Sequence, residues 1–188
     1  MMKNTKHIIE DETAVKKLLI RASLFLTAFE LLKSAVEDRV KYFLSMREDF
    51  DKEGNIKASK EYKDQIIKRK FSFNTGNAQE FIACSHWLSE NNAISKDDIE
   101  KLQKIRKFRN EIAHNLPNFL ISTSLNISVD KFDEIRDLLI KIEVWWVLEF
   151  EVTLKEEYDN VVVNPNDVKT GRIIILEHLL NVLKNEVN

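Results

Sequence analysis

Apolar residues recur along the first long segment of this chain at intervals of three and four. Leu18, Ala22, Phe25, Phe29, Leu32, Val36, Val40 and Phe43 are separated by four, three, four, three, four, four and three positions. Such spacing lays one continuous stripe along a helix. It predicts a helix from about Asp11 to Arg47, roughly nine turns or more. A stripe that long cannot hide against a small subdomain, so this helix is expected to be a spine of the core.

The rest of the chain reads in the same period. Asp51 to Ser59, centred on Gly54-Asn55, is a loop. Lys60 to Lys70 is either a short basic helix or an excursion from the core, and Phe71 to Gly76 is irregular. Asn77 to Glu90 is a helix with Phe81, Cys84, Trp87 and Leu88 facing inward, ended by Asn91-Asn92. Ser95 opens the next helix, with Asp98 three residues on as in a capping box. Pro117 is expected to stop that helix at about Leu116, because proline lacks the donor a helix interior needs. Residues 118–129 form a polar connection with room for one short strand. Asp130 is expected to cap a last long helix reaching about Tyr158, whose middle, Ile142 to Phe150, is apolar nearly all round. A loop around Asn164-Pro165 spans 159–170, and a terminal helix follows from about Thr170 to Glu186. The expectation is an all-α bundle, one domain over 1–188, with 51–76 as the candidate excursion and 159–188 as a C-terminal loop and helix.

Composition narrows the picture. Of 188 residues only three are glycine (Gly54, Gly76, Gly171) and two proline, too few turn-formers for a sandwich or barrel. Three scattered glycines cannot make a Gly-x-Gly-x-x-Gly fingerprint or a Walker A loop. One cysteine, Cys84, leaves no disulfide framework and no Cys-rich zinc site. The four histidines (His7, His86, His114, His178) include no His-Glu-x-x-His pair, and no Gly-x-Ser-x-Gly elbow occurs. No signal peptide, membrane span, metal or cofactor is expected, and a reducing cytoplasm fits the cysteine usage.

The net charge is only −2, yet its distribution is uneven. Lys101 to Arg109 holds five basic residues and no acidic one, while Asp130 to Asp159 holds ten acidic against four basic. A positive run concentrates potential that attracts phosphates even on a near-neutral protein. Lys101, Lys104, Arg106 and Lys107 are therefore candidate RNA contacts, although a charge run alone is more simply a solvated face.

The segment Phe108-Arg109-Asn110-Glu111-Ile112-Ala113-His114-Asn115 carries the chemistry. At 100° per residue, Ile105, Phe108, Ile112 and Leu116 form the core stripe. Arg109 stands at its edge, and Ala113, Asn110 and His114 follow round the helix. A guanidinium offers a fixed fork to phosphate oxygens. An imidazole exchanges a proton near neutrality, and an amide orients either group. Those are the parts needed to cleave a phosphodiester without a metal when a neighbouring 2′-hydroxyl is the nucleophile, and RNA has that hydroxyl. One arc spreads over about 140°, so two copies facing across a two-fold axis would converge better on one phosphate.

Arg109-Asn110-x-x-x-His114, late in a helix of an all-helical chain, resembles the signature of the HEPN superfamily: Arg, four to six residues of which the first is usually polar, then His. The resemblance implies a helical bundle, a homodimer with the site at its interface, and metal-independent RNA cleavage leaving a 2′,3′-cyclic phosphate. It also implies a place in toxin–antitoxin or antiphage defence systems, with a cognate antitoxin or regulatory protein as partner. Carried over residue by residue, Arg109 would stabilise phosphate charge, His114 would act on the 2′-hydroxyl or the leaving group, and Asn110 would position them. A non-catalytic module of the same superfamily, binding RNA or a protein, is the alternative; an accidental motif in a structural domain is a third.

Simpler readings attach to several of these residues. Arg109 alone would be a helix arginine snorkelling at a core edge. His114 could sit near a helix C-terminus, where a cation suits the dipole, or pair with Glu111. His86 and His178 read as surface or satisfied core residues, and Cys84 as inert core. Trp145-Trp146 reads as core plus interface rather than a base-stacking pair. Glu30 and Glu37 could reach the motif from the first helix, but read more simply as solvated charge.

Overall fold

The computed structural model describes residues 11–45, 57–71, 79–121, 127–153 and 162–187, and the protein is an all-α bundle with no strand among them. Its spine is α1 (Glu12–Ser45). Asp11 caps it: the carboxylate accepts from the backbone N–H groups of Thr13 at 3.0 Å and Ala14 at 3.1 Å. The buried residues of α1 are the predicted stripe with Ala28, Ala35, Leu44 and Ser45 added, while Phe43 is half-buried. The apolar arc is wide because α3 (Gln79–Glu90), α4 (Lys96–Ile121), α5 (Val129–Trp146) and α6 (Gly171–Val187) all pack on this one helix. Phe25 sits at the centre, edge-on to Phe108 of α4 at 5.1 Å and to Phe132 of α5 at 5.5 Å. Each fully buried Phe or Leu contributes roughly 1.5–3 kcal/mol of transfer free energy.

The described part of the candidate excursion is folded onto the core. A single turn, α2 (Lys60–Tyr62), runs on as a π-helical turn (Lys63–Ile67), and Tyr62 and Ile66 are buried. Ser59 stitches it to the end of the spine. Its hydroxyl donates to the Leu44 carbonyl at 2.7 Å and accepts from the Tyr62 N–H at 2.9 Å.

Helix α3 (Gln79–Glu90) ends as its Asn-Asn pair predicts. Asn92 takes the left-handed conformation (φ 63°), with Ala93 N–H on the Leu88 carbonyl and Asn92 N–H on that of Ser89. This is a Schellman ending, and the buried Ala93 stands at the position that packs back on the last turn. Helix α4 (Lys96–Ile121) opens on the predicted box: Ser95 N–H donates to Asp98 at 2.9 Å, and Asp98 N–H donates to the Ser95 hydroxyl at 3.2 Å.

Two expectations at helix ends are corrected. Pro117 lies inside α4 rather than ending it. Its ring leaves the Ala113 carbonyl without a helical donor, but Ala113, Asn115 and Pro117 are all exposed, so water can take that place. Phe119, buried one turn past Leu116, keeps the stripe docked. Residues 118–121 of the expected connection are therefore helix, and its part over 122–126 lies outside the described residues. At the start of α5 (Val129–Trp146), Ser128 and not Asp130 holds the cap position. Ile127 before the cap and Phe132 within the first turn are both buried, in the places of a hydrophobic staple, and they fix where the chain enters. Asp130 falls in the first turn, where its charge suits the dipole.

After Trp146 the chain continues as a π-helical turn (Val147–Val152); the expected end at Tyr158 is outside the described residues. Trp145 and Trp146 pack into an aromatic cluster with Phe43, Trp87 and Phe150, and Trp146 stacks on Trp87 at 6.0 Å. A 3-10 turn (Pro165–Asp167) leads to α6 (Gly171–Val187). Glu143 of α5, with no exposed surface, joins three helices: Arg39 of α1 reaches it at 3.3 Å and Arg172 of α6 at 3.1 Å. No helix among the described residues is long and apolar enough to cross a membrane.

Candidate functional site: a cleft between α1 and α4

Arg109, Asn110 and His114 line one open cleft of about 420 Å³. The α4 wall follows from helical geometry. Ile105 and Ile112 are buried, which turns the arc from Arg109 round to His114 away from the core. Arg106 lies about 60° round from Arg109 towards Asn110, so it falls within the arc and lines the cleft as well. Ala113, exposed on the same arc, puts only a methyl group between Arg109 and His114. The opposite wall is α1, through Phe29, Glu30, Lys33 and Glu37, whose azimuths fall within about 100° of one another. Phe81 of α3 closes one side.

The guanidinium of Arg109 is held from three directions. Its Nη2 donates to Glu30 Oε1 at 2.8 Å, its Nη1 makes a long 3.4 Å contact with Asn110 Oδ1, and its Cζ stands 5.6 Å over the Phe29 ring. Its buried Nε has no hydrogen-bond partner, and neither has that of Arg106. His114 is exposed, and α4 runs roughly two turns beyond it, so it does not occupy a helix C-terminus. Its neighbours in the cleft are the arginines and the α1 carboxylates.

Glu37 is corrected from the solvated reading, whereas Glu30 is exposed as that reading expects and is paired as well. Glu30 is the ion-pair partner of Arg109. Glu37, with 19% of its side chain exposed, lies deeper, 3.5 Å from Lys33. Burial pushes its carboxyl up to about 7, and Glu80 adds to the effect while Lys33 opposes it. Burial outweighs the attraction of Lys33 because a 3.5 Å contact is long for a charge-assisted bond. Sequence reasoning undervalued these carboxylates because Glu30 follows Phe29 directly. The usable signal was that 30, 33 and 37 share the edge of the α1 stripe.

The basic run divides. Of Lys101, Lys104, Arg106 and Lys107, only Arg106 lines the cleft. Lys104 and Lys107 project to solvent, roughly 220° and 160° round from Arg109. Lys101 lies 3.5 Å from Asp98 and borders a separate groove with Asp130, Asp133, Glu134 and Asp137. Although burial opposes it, hydrogen bonds from Lys141 and Ser95 hold the Asp98 carboxyl down at about 2.

The other singled-out residues stand apart from the cleft. Cys84 is buried, and burial raises its thiol well above the ordinary value, so the thiolate is suppressed. Tyr62 donates to Glu80 and touches the Cys84 sulfur at 3.9 Å; burial likewise raises its hydroxyl. His86 packs on Phe71 at 5.1 Å with its pKa lowered by burial and by Arg69. His178 is exposed on α6. Among the described residues no three His, Cys, Asp or Glu side chains are grouped to hold a metal ion.

No family model matches the chain, and no curated protein and no solved structure is found similar to it.

Proposed function

We propose that this protein is a metal-independent endoribonuclease of the HEPN type, a cytoplasmic toxin or antiphage-defence effector. The observation that carries the reading is that Arg109, Asn110 and His114 line one solvent-open cleft, with Arg106 beside them. In the proposed reaction a neutral imidazole takes the proton of the 2′-hydroxyl, and that oxygen attacks phosphorus. The bond to the 5′-oxygen breaks, and the leaving oxygen takes a proton from an imidazolium. The products are a 2′,3′-cyclic phosphate and a 5′-hydroxyl. Arg109 faces the charge that gathers on the non-bridging oxygens. One cleft supplies one imidazole, while the reaction uses a base and an acid. A second copy across a two-fold axis supplies the other, which supports a homodimer.

The test is incubation of the purified protein with RNA in EDTA. Expected are cleavage with cyclic-phosphate ends, no cleavage of DNA, and a loss of about 10²-fold or more in Arg109→Ala and in His114→Ala. Cleavage that survives both substitutions overturns the reading.

One observation favours the alternative, a module that binds RNA or a regulatory protein without cutting. Glu30 already occupies part of the Arg109 fork. That reading expects salt-sensitive RNA binding with no cleavage under any of these conditions.

A further inference from the structure

We propose that Lys33 on α1 is a phosphate ligand of this cleft, for which the neighbouring Glu37 carboxylate competes. The inference rests on the reading of the cleft as an RNA site and adds a residue and a condition to it.

The argument starts from position. Lys33 follows Glu30 by one helical turn on the wall facing Arg109, and its side chain is 43% exposed. Its ammonium can therefore reach an anion lying along the cleft beside Arg106 and Arg109. The local charges decide whether it is free to do so. Glu30 compensates Arg109, Arg106 has an unpartnered Nε, and Lys33 has Glu37 at 3.5 Å. A contact of that length is a loose ion pair, and it engages Lys33 only while Glu37 carries its charge.

The surroundings of Glu37 then set the balance. From α1 it meets Lys33 and, more weakly, Asp38. Glu80 faces it from α3, and that carboxylate is itself bound by the Tyr62 hydroxyl from α2. The Cys84 thiol lies within its field on α3, held in the protonated form by burial. Across the cleft stand Arg106, Arg109 and His114 of α4. Desolvation outweighs the attraction of Lys33, so Glu37 changes charge at about 7. Below that pH Lys33 loses its counter-charge and the cleft gains one net positive charge. Above it the pair forms and the gain is lost.

A single-stranded DNA pentamer tests this, because it carries the phosphates but lacks the 2′-hydroxyl and stays intact. Its affinity is measured against salt concentration at pH 6 and pH 8.5, in a His114→Gln background that removes the imidazole. At pH 6, Lys33→Ala is expected to lower the slope of log affinity against log salt by about 0.7, the value for one contact on a single strand. At pH 8.5 the same substitution is expected to change nothing. Glu37→Gln is expected to give the pH 6 slope at both pH values. Circular dichroism confirms that each variant is folded, and ¹³C NMR of the Glu37 carboxyl reads its titration directly. An unchanged slope in Lys33→Ala at pH 6, no DNA binding by the parent, or a Glu37 midpoint below 5 overturns the proposal. RNA cleavage is scored separately in the native sequence. Lys33-dependent DNA binding without RNA cleavage removes the nuclease reading and leaves this one. RNA cleavage with DNA affinity indifferent to Lys33 does the reverse.

Discussion

Glu30 Oε1 accepts a hydrogen bond from Arg109 Nη2 at 2.8 Å, so the guanidinium of the candidate site meets the cleft already paired. Both side chains are partly in water, at 49% and 32% exposure, and a pair of that kind contributes at most about 1 kcal/mol to stability. A phosphate offers the fork two oxygens where Glu30 offers one, so the ligand can displace the carboxylate. Glu30→Gln is expected to leave the urea midpoint nearly unchanged and to tighten RNA binding about fivefold, the equivalent of the lost pair. Filter binding at low salt checks it. Weaker binding in the variant would mean instead that Glu30 holds Arg109 in its productive orientation.

Charge and geometry at Arg109 are separable. Arg109→Lys keeps the charge and loses the planar fork. If two phosphate oxygens are gripped together, RNA cleavage should fall by one to two orders of magnitude, while the salt dependence of binding stays the same. An equal loss in Arg109→Lys and Arg109→Ala fits this account; wild-type activity in Arg109→Lys does not. Asn110→Ala should have a smaller effect, because its contact with Arg109 is already long at 3.4 Å.

The helices were legible because apolar period and capping chemistry are local. The 18–43 stripe marked α1 as the spine, Ser95 and Asp98 form the box their spacing predicted, and Asn92 ends α3. The failures arose where tertiary packing outweighed a local rule. Buried Phe119 carries α4 past Pro117, and Ile127 with Phe132 moves the α5 cap to Ser128. For the cleft, the α4 wall was readable from the azimuths of Arg109, Asn110 and His114. Lys33, Glu30 and Glu37 belong to it only because α1 crosses α4 there, a relation between segments some eighty residues apart that no single-helix pattern encodes.

Glu37 gives stability a pH dependence whose sign is fixed. Its folded-state carboxyl titrates at about 7 against a reference value of 4.5. Between those values the folded chain binds the proton and the unfolded chain does not, so this group's contribution is highest at or below pH 4.5 and falls as pH rises to 7. The shift corresponds to on the order of 3 kcal/mol. Glu37→Gln is therefore expected to match the parent near pH 4.5 and to exceed it in stability at pH 8. Thermal or urea unfolding at the two pH values measures the difference; equal stability at pH 8 counts against a buried, protonated Glu37.

Pro117 is exposed in the interior of α4, with helix on both sides. It withholds a donor from the Ala113 carbonyl and crowds that turn. Pro117→Ala restores the bond and is expected to stabilise the protein by roughly 1–3 kcal/mol, the upper figure being the full propensity difference. A destabilised variant would show that Pro117 itself is needed to dock Phe119.

Glu143 has no exposed side-chain surface and serves two arginines from different helices. Its site is a polar junction: Arg39 also reaches Glu151 at 2.9 Å, Arg172 donates to the Ser34 hydroxyl at 2.9 Å, and Ser34 donates to Asp38 at 2.7 Å. Removing one member of such a group leaves buried charge without its counterpart, which costs about 3–5 kcal/mol. Glu143→Ala is therefore expected to be the most damaging single change outside the apolar core, with Glu143→Gln close behind because the amide keeps the shape but not the charge. The combined variant Glu143→Leu, Arg39→Met, Arg172→Met removes all three charges at similar volume and should recover most of that loss. Urea unfolding of the four proteins decides between the two sources of stability. If the triple variant is no better than Glu143→Ala, hydrogen bonding to Ser34 and Glu151, rather than charge balance at Glu143, holds α6 against α1 and α5.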